Sequence, residues 1–329
     1  MTDSTASLPP GVAERWGIEV VPLEVVIGGA RHHEGIDLSP GDLLAALSDG
    51  RRVTTSQPAP AAFARAYAHA VERGAREIVS VHLSRDLSGT VRAAELAALA
   101  APVPVHVVDS RSVAMGLGFA AVAAAELVSH PRVGRGSIIG ALPDGGAESA
   151  ERARQVAAST STFFLVDSLE HLRRGGRLGA AAAAMGTLLG LRPLLAVRSG
   201  RIEVIEKVRT RRAARERLEA LAIKDAGRRE AAQVAVHHLG QPEVAAILAG
   251  QLEARLGAKV GQVIVSEISA VIAVHVGPGL LGVVVADRRA PPPAPAPVPP
   301  PPRPRPQVVC PRGRPHPRSA PAGRTSHPA

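Results

Sequence analysis

The densest concentration of groups able to do chemistry lies between Glu77 and Thr90. There an apolar run, Ile78-Val79-Ser80-Val81-His82-Leu83, passes into Ser84-Arg85-Asp86-Leu87 and then Ser88-Gly89-Thr90. The β-branched residues predict a strand, the polar residues a turn, and Thr90 onward a helix to about Ala100. A strand that turns into a helix N-terminus leaves backbone N–H groups and a positive dipole end facing outward, which suits an anion. Ser88 adds a hydroxyl at that point, and Gly89 lets a ligand come close to the backbone. The same residues would serve equally as an ordinary Ser cap on a helix.

Other residue sets are less specific. Ser88 with His275 or His82 and with Asp86 or Asp109 has the composition of a hydrolase triad, and a serine-dependent lipid or ester hydrolase is the alternative reading of the chain. No G-x-S-x-G elbow surrounds Ser88, however. His32-His33 and His237-His238 lack metal-ligand spacing, because neighbours on a strand point to opposite faces. Both pairs read as surface histidines, and no metal site is expected. Gly175-Gly176-Arg177-Leu178-Gly179 has neither the Lys-Ser/Thr of a P-loop nor G-x-G-x-x-G; it reads as a turn that places Arg177 beside a ligand carboxylate. The basic cluster from Lys207 to Arg217 reads as a solvated helix face or as a docking face for an acidic partner.

The elements that must position these groups alternate along the chain. Asp3-Ser4-Thr5 reads as a strand-end turn with no strand before it, which suggests that the natural start lies upstream. Ile18 to Ile27 is β-rich and broken at Pro22. Ser39-Pro40-Gly41-Asp42 opens a helix to about Leu47, with a Ser cap, Pro at the first helical position and an acid at the third. Thr54-Thr55-Ser56-Gln57-Pro58 reads as a polar loop before a helix from Ala61 to Arg73 that Gly74 closes. A strand from Val103 to Val108 and an Ala-rich helix from Met115 to Val128 follow. Pro131 to Ser149 has no clear period and reads as a loop or inserted linker.

The second half repeats the alternation. It begins with a strand at Thr162 to Val166 and a small-residue helix at Ala180 to Leu189. Ser199-Gly200 is flanked by Leu191 to Val197 and Ile202 to Val208 as a hairpin. A charged helix spans Thr210 to Ala226, and the last strand is Gly282 to Ala286. Such alternation predicts βαβ units and a mostly parallel sheet. Three parts are expected: α/β domains over 1–150 and 151–287, and a tail over 288–329.

Composition limits the function classes. The net charge is +10, but eight of the 39 Lys and Arg residues lie after Asp287, where there is no Asp or Glu. The rest of the chain carries 31 basic against 29 acidic residues, close to neutral. With six Phe, Tyr and Trp residues in all, base-stacking platforms are missing, so specific nucleic-acid binding is not expected. A nucleic-acid or partner-binding role would belong to the tail, where 16 of the 29 prolines fall within 42 residues. That composition predicts a disordered or polyproline-like segment. Cys310 is the single cysteine and has no internal partner for a disulfide. No apolar run approaches membrane-spanning length, and the N-terminus has no signal pattern, so the chain reads as cytoplasmic.

Taken together, the stretches TDSTASLP, IEVVPLEVVIGG, GIDLSP, TTSQPAP, VHLSRDLSGTVRAA, VVDSRSVAMGLG, FFLVDSLEHLRRGGRLG, EKVRTRRAA and HVGPGLLG resemble, in order, the DegV family of bacterial fatty-acid-binding proteins. The likeness covers about residues 2 to 287. It implies an α/β fold of two domains with a lipid tunnel between them. It also implies a non-catalytic carrier that binds one long-chain fatty acid, needs no cofactor, and presents the carboxylate to a fatty-acid kinase that makes an acyl-phosphate. By the resemblance, Thr55 of TSQP and Ser88 of LSGT are carboxylate ligands and Gly89 supplies a backbone N–H. His275 of HVGPG and Arg177 of GGR belong to the same polar network, and Arg209 of VRTR contacts the kinase. The role leaves room for transient membrane contact. The segment 131–150 and the tail after Arg288 depart from the family pattern.

Overall fold

The structure is a computed structural model that describes residues 1–56, 58–129, 145–178 and 191–288. Gln57, most of the 131–150 segment, the Ala180–Leu189 helix and the tail beyond Arg288 therefore lie outside the described residues. Met1–Ala290 form one compact unit.

The chain does have a strand before its Asp-Ser-Thr turn, contrary to expectation. β1 (Thr2–Asp3) pairs in parallel with β2 (Val20–Val21). Its other side is tied to β6 by Val81 N–H to Met1 O at 3.0 Å and Thr2 Oγ1 to Val81 O at 2.9 Å. β3 (Glu24–Ile27), β4 (Ala30–His33) and β5 (Val53–Thr55) form a small antiparallel sheet. Thr54-Thr55 thus belong to a strand rather than a loop. Their β-branched side chains suit the ladder that Val25 and Val26 offer. β6 (Ile78–His82) and β7 (Val105–Asp109) are parallel neighbours.

The second half is where the parallel expectation fails. β8 (Ser161–Leu165), β9 (Arg192–Arg198), β10 (Arg201–Val208), β11 (Ala232–His238), β12 (Ile264–Glu267) and β13 (Leu281–Asp287) form one sheet in the order β10-β9-β8-β13-β11-β12. Among its described strands, only the β11–β12 pair is parallel. Two features reverse the direction. Ser199 and Gly200 take φ of 48° and 84°, the doubly positive turn that suits a two-residue hairpin. The last strand then inserts between β8 and β11, and no local pattern in the sequence announces that insertion.

Two helices open as their caps predict. Ser39 and Asp42 form a reciprocal capping box at Pro40–Ser48. Thr210 accepts Ala213 N–H at 3.1 Å to open Arg211–Gly227. Gly145–Ala158 is a helix, so the end of the supposed 131–150 linker is ordered structure. Its small residues Gly146, Ser149, Ala150 and Ala153 are buried. Across the six-stranded sheet the side chains alternate cleanly. Leu165, Leu194, Val234, Val236, Val283 and Val285 face the helices Arg211–Gly227 and Pro242–Leu256, while Phe164, Leu195, Ala235 and Val284 face the first half of the chain.

A buried polar chain anchors the first half. Asp3 accepts Thr5 N–H at 3.1 Å, Leu83 N–H at 3.1 Å and the Thr5 hydroxyl, and its other contact is His82 Nδ1 at 2.9 Å. His82 Nε2 meets Ser80 Oγ at 2.7 Å, and Tyr67 donates to Ser80 Oγ at 3.0 Å. Burial pushes the Tyr67 hydroxyl up to about 12, so it stays a donor. Asp3→Ala would strand Thr5 N–H, Leu83 N–H and His82 away from water, at about 1–3 kcal/mol per group. The expected loss of unfolding free energy is at least about 3 kcal/mol, measurable as a lower urea midpoint at unchanged m-value. A midpoint within error of wild type would show that Asp3 is not an anchor.

Candidate functional site

A cavity, partly open to solvent, lies between the two halves. Thr5, Leu23, Thr55, Leu83 and Ser88 line it from one side. Thr162, Phe164, Val197, Ile202, His237 and Val284 line it from the other. Its walls are mostly apolar, and some of its polar groups come together near Arg177 and His275.

The turn foreseen at the end of β6 forms this polar cluster, with one adjustment. Gly89, not Ser88, is the N-cap of the helix Thr90–Ala98. Ser88 is thereby released from capping: its Oγ lies 2.9 Å from Thr90 Oγ1, and the residue lines the cavity. Thr55 arrives at the end of β5, and its Oγ1 is 2.8 Å from His275 Nε2. His275 sits in the last turn of the short helix Ala270–Val276. Gly175 packs so closely against the His275 ring that a Cβ there would overlap Nδ1. Arg177 then reaches back, Nε donating to Leu87 O at 3.1 Å, one residue before Ser88, and Nη1 donating to Gly175 O.

Thr55, Ser88, Arg177 and His275 are therefore brought together in one place. Gly89 lies beside them at the helix start but does not line the cavity. Arg209 is exposed between β10 and the helix Arg211–Gly227, away from the cavity. The hydrolase grouping is not assembled. His82 is engaged by Asp3 and Ser80, His275 by Thr55, Asp86 by Arg201 at 2.9 Å, and Asp109 by Arg85 at 2.8 Å. Neither histidine bonds Ser88, and neither aspartate orients a histidine.

The helix carrying His275 is held from the first half. Glu34 accepts Ser269 Oγ–H at 2.8 Å and the Ala270 N–H, and Ser7 Oγ accepts Ser269 N–H at 3.0 Å. Burial raises the Glu34 carboxyl above its ordinary range, against the pull of those donors.

His237 and His238 correct the expectation of surface histidines, since both are buried. His237 lines the cavity; its Nε2 accepts Met115 N–H at 3.1 Å, and its Nδ1 donates to Ser266 O at 3.2 Å. One nitrogen accepts and the other donates, which requires the neutral ring. Burial accordingly pushes His237 down to about 4. The signal was present in the sequence, because the apolar strand Val234 to Val236 runs straight into His237. Thr5, Ser56 and Thr162 also line the cavity without having been singled out. For Thr162 the clue was its alternation with Phe164. Among the described residues no cluster of three His, Cys, Asp or Glu could hold a metal ion, and no helix is long and apolar enough to cross a membrane.

His275 is pushed down to about 4, first by burial and then by the Arg177 charge. It is neutral at pH 7, leaving Arg177 as the cation of the cluster. Between pH 4 and 6.5 the unfolded chain takes up a proton at His275 that the folded chain refuses, so stability falls as pH falls through that window. Glu34, with its raised value, acts in the opposite sense. Replacing His275 by Gln isolates the histidine. The stability of His275→Gln, followed by urea unfolding, should depend less steeply on pH than wild type, by up to about 1.4 kcal/mol per pH unit. Parallel curves for the two proteins would refute this account of His275.

Comparison with known proteins adds to this geometry. A family model for uncharacterised proteins of the DegV family matches residues 1–288. A DegV domain-containing protein of Streptomyces coelicolor is 48% identical over 288 residues, covering 88% of this chain and 98% of its own. A DegV family protein from Thermus thermophilus, solved for its fatty acid binding, is 36% identical with a TM-score of 0.76, covering 87% of this chain and 98% of its own. DegV from Bacillus subtilis, described as a fatty acid binding protein, is 30% identical with a TM-score of 0.77 at the same coverages. On the match to its whole described body and the identity of its relatives, the chain belongs to the DegV family.

Proposed function

We propose that this protein binds one long-chain fatty acid, with the acyl chain in the cavity and the carboxylate at Thr55, Ser88, Arg177 and His275. The observation that carries this reading is one largely apolar cavity in which two of the hydroxyls, one imidazole and the guanidinium gather in a cluster. The fatty acid binding of the Thermus thermophilus and Bacillus subtilis relatives supports it.

The energetics are consistent. Burying about fifteen methylenes contributes on the order of 12 kcal/mol gross, at about 0.8 kcal/mol each. Desolvating the carboxylate costs several kcal/mol unless donors meet it. Two hydroxyls, the Arg177 guanidinium and the first-turn N–H groups of Thr90–Ala98, including that of Gly89, are such donors. A neutral His275 adds a ring N–H without a second charge to desolvate.

The role that fits is a carrier rather than an enzyme. We propose that the carboxylate is presented to a fatty-acid kinase, which transfers a phosphoryl group to a carboxylate oxygen to give an acyl-phosphate. We assign contact with that kinase to Arg209, which is exposed beside the helix Arg211–Gly227.

Removing Ser88 takes away a charge-assisted hydrogen bond worth about 1.5–3 kcal/mol. Ser88→Ala should weaken calorimetric binding of a fatty acid roughly ten- to 150-fold, while binding of its methyl ester changes far less. Unchanged fatty-acid affinity would sink the assignment. If the mutation instead abolished turnover of a p-nitrophenyl ester, the hydrolase reading would replace it. Arg209→Ala should leave fatty-acid affinity within error of wild type and slow acyl-phosphate formation with the kinase; an unchanged rate would remove Arg209 from the contact.

A further inference from the structure

Among the described residues, every polar side chain that lines the cavity has a partner in the fold, with one exception. Thr5 donates to Asp3, Ser56 to Glu24, and Arg177 to Leu87 O; Thr55 pairs with His275, and Ser88 with Thr90. His237 uses both ring nitrogens. Thr162 Oγ1 is buried without any hydrogen-bond partner, on a residue only 6% exposed. A hydroxyl left so is costly, and it survives most readily where something that enters the cavity satisfies it.

Its place in the sheet says how far from the carboxylate cluster it lies. Thr162 shares the cavity face with Phe164, whereas Phe163 between them packs toward the helices on the other face. Cross-strand partners align Ile202, Val197, Thr162 and Val284 in one row, and all four line the cavity. The row begins beside the carboxylate cluster, because Leu178, next to Arg177, bridges to Ile202. From Leu178 to Thr162 is three strand spacings of about 4.8 Å, or about 14 Å. An extended chain advances about 1.2 Å per bond, so roughly the tenth to twelfth carbon of an acyl chain comes opposite Thr162.

Resting on the fatty-acid reading above, we propose that Thr162 is a specificity residue that selects acyl chains bearing a hydroxyl group near mid-chain. The apolar neighbours Val197, Phe164 and Val284 accept a methylene chain of any kind. Thr162 adds one donor and one acceptor that a plain alkyl chain leaves unpaired and a hydroxyl satisfies.

The test uses the full chain freed of lipid and titrates stearic, 10-hydroxystearic and 12-hydroxystearic acids, which bracket the carbon placed opposite Thr162. Wild type should bind at least one hydroxy acid about three- to tenfold more tightly than stearic acid, the effect of one neutral hydrogen bond. Thr162→Val, which keeps the β-branched shape, should lose that preference and bind stearic acid at least as well as wild type. Thr162→Ser, which keeps the hydroxyl, should retain it. Stearic acid bound with no preference for either hydroxy acid overturns the selectivity and leaves the fatty-acid reading standing. A preference that persists in Thr162→Val, or is lost in Thr162→Ser, also overturns it. No binding of any of the three acids brings down the fatty-acid reading and the selectivity with it.

Discussion

The fold hangs on a carboxylate with no access to water. Asp3 is fully buried and can remain so only because the Thr5 hydroxyl, two backbone N–H groups and an imidazole surround it. Those partners come from the turn after β1 and from the end of β6, so satisfying one buried group joins residues 79 positions apart. The end of β6 is where the Ser84 to Thr90 turn departs. Thr5, tied to Asp3, is itself part of the cavity wall. The position of Ser88 is thus inherited from the need to satisfy Asp3.

The two halves of the chain are locked on either side of the cavity by polar contacts, which suits a space that must stay open to a ligand. The tip of the β9–β10 hairpin meets the turns after β6 and β7, Ser84 Oγ donating to Gly200 O at 2.8 Å and Arg111 to Ser199 O at 2.7 Å. A side chain at Gly200 would collide with Ser84 Oγ, and its positive φ disfavours one independently. On the other side Glu34 and Ser7 hold the start of the helix that ends at His275. Contacts of this kind fix orientation without filling the space between the halves with side chains.

Charge is distributed economically within the cluster. Burial and the neighbouring guanidinium keep His275 neutral, so Arg177 is the cation there. A second buried charge would have raised the desolvation cost of the cluster. Thr55 with His275 and Ser88 with Thr90 satisfy each other. That pairing explains how hydroxyls can face an apolar space without being orphaned, and it sets Thr162 apart.

Much of this was legible in the sequence wherever the cause is local. The capping box at Ser39, the positive-φ turn at Ser199-Gly200 and the strand-to-helix turn before Thr90 are decided by residues within a few positions of one another. The resemblance to the DegV family likewise picked out Thr55, Ser88, Arg177 and His275 from short motifs. Tertiary structure decided what depends on partners far along the chain. Thr2–Asp3 is a strand because Val20–Val21 and β6 flank it, and Thr54-Thr55 join a sheet because β3 presents an open edge. The second sheet is mostly antiparallel because β13 inserts between β8 and β11. His237 is neutral and buried because Met115 and Ser266 reach both of its nitrogens from elements 122 and 29 residues away. Thr162 Oγ1 is left without a hydrogen-bond partner by the packing of the folded chain, which no local pattern foretells. Sequence encodes which groups seek partners; only the folded chain determines which of them find one.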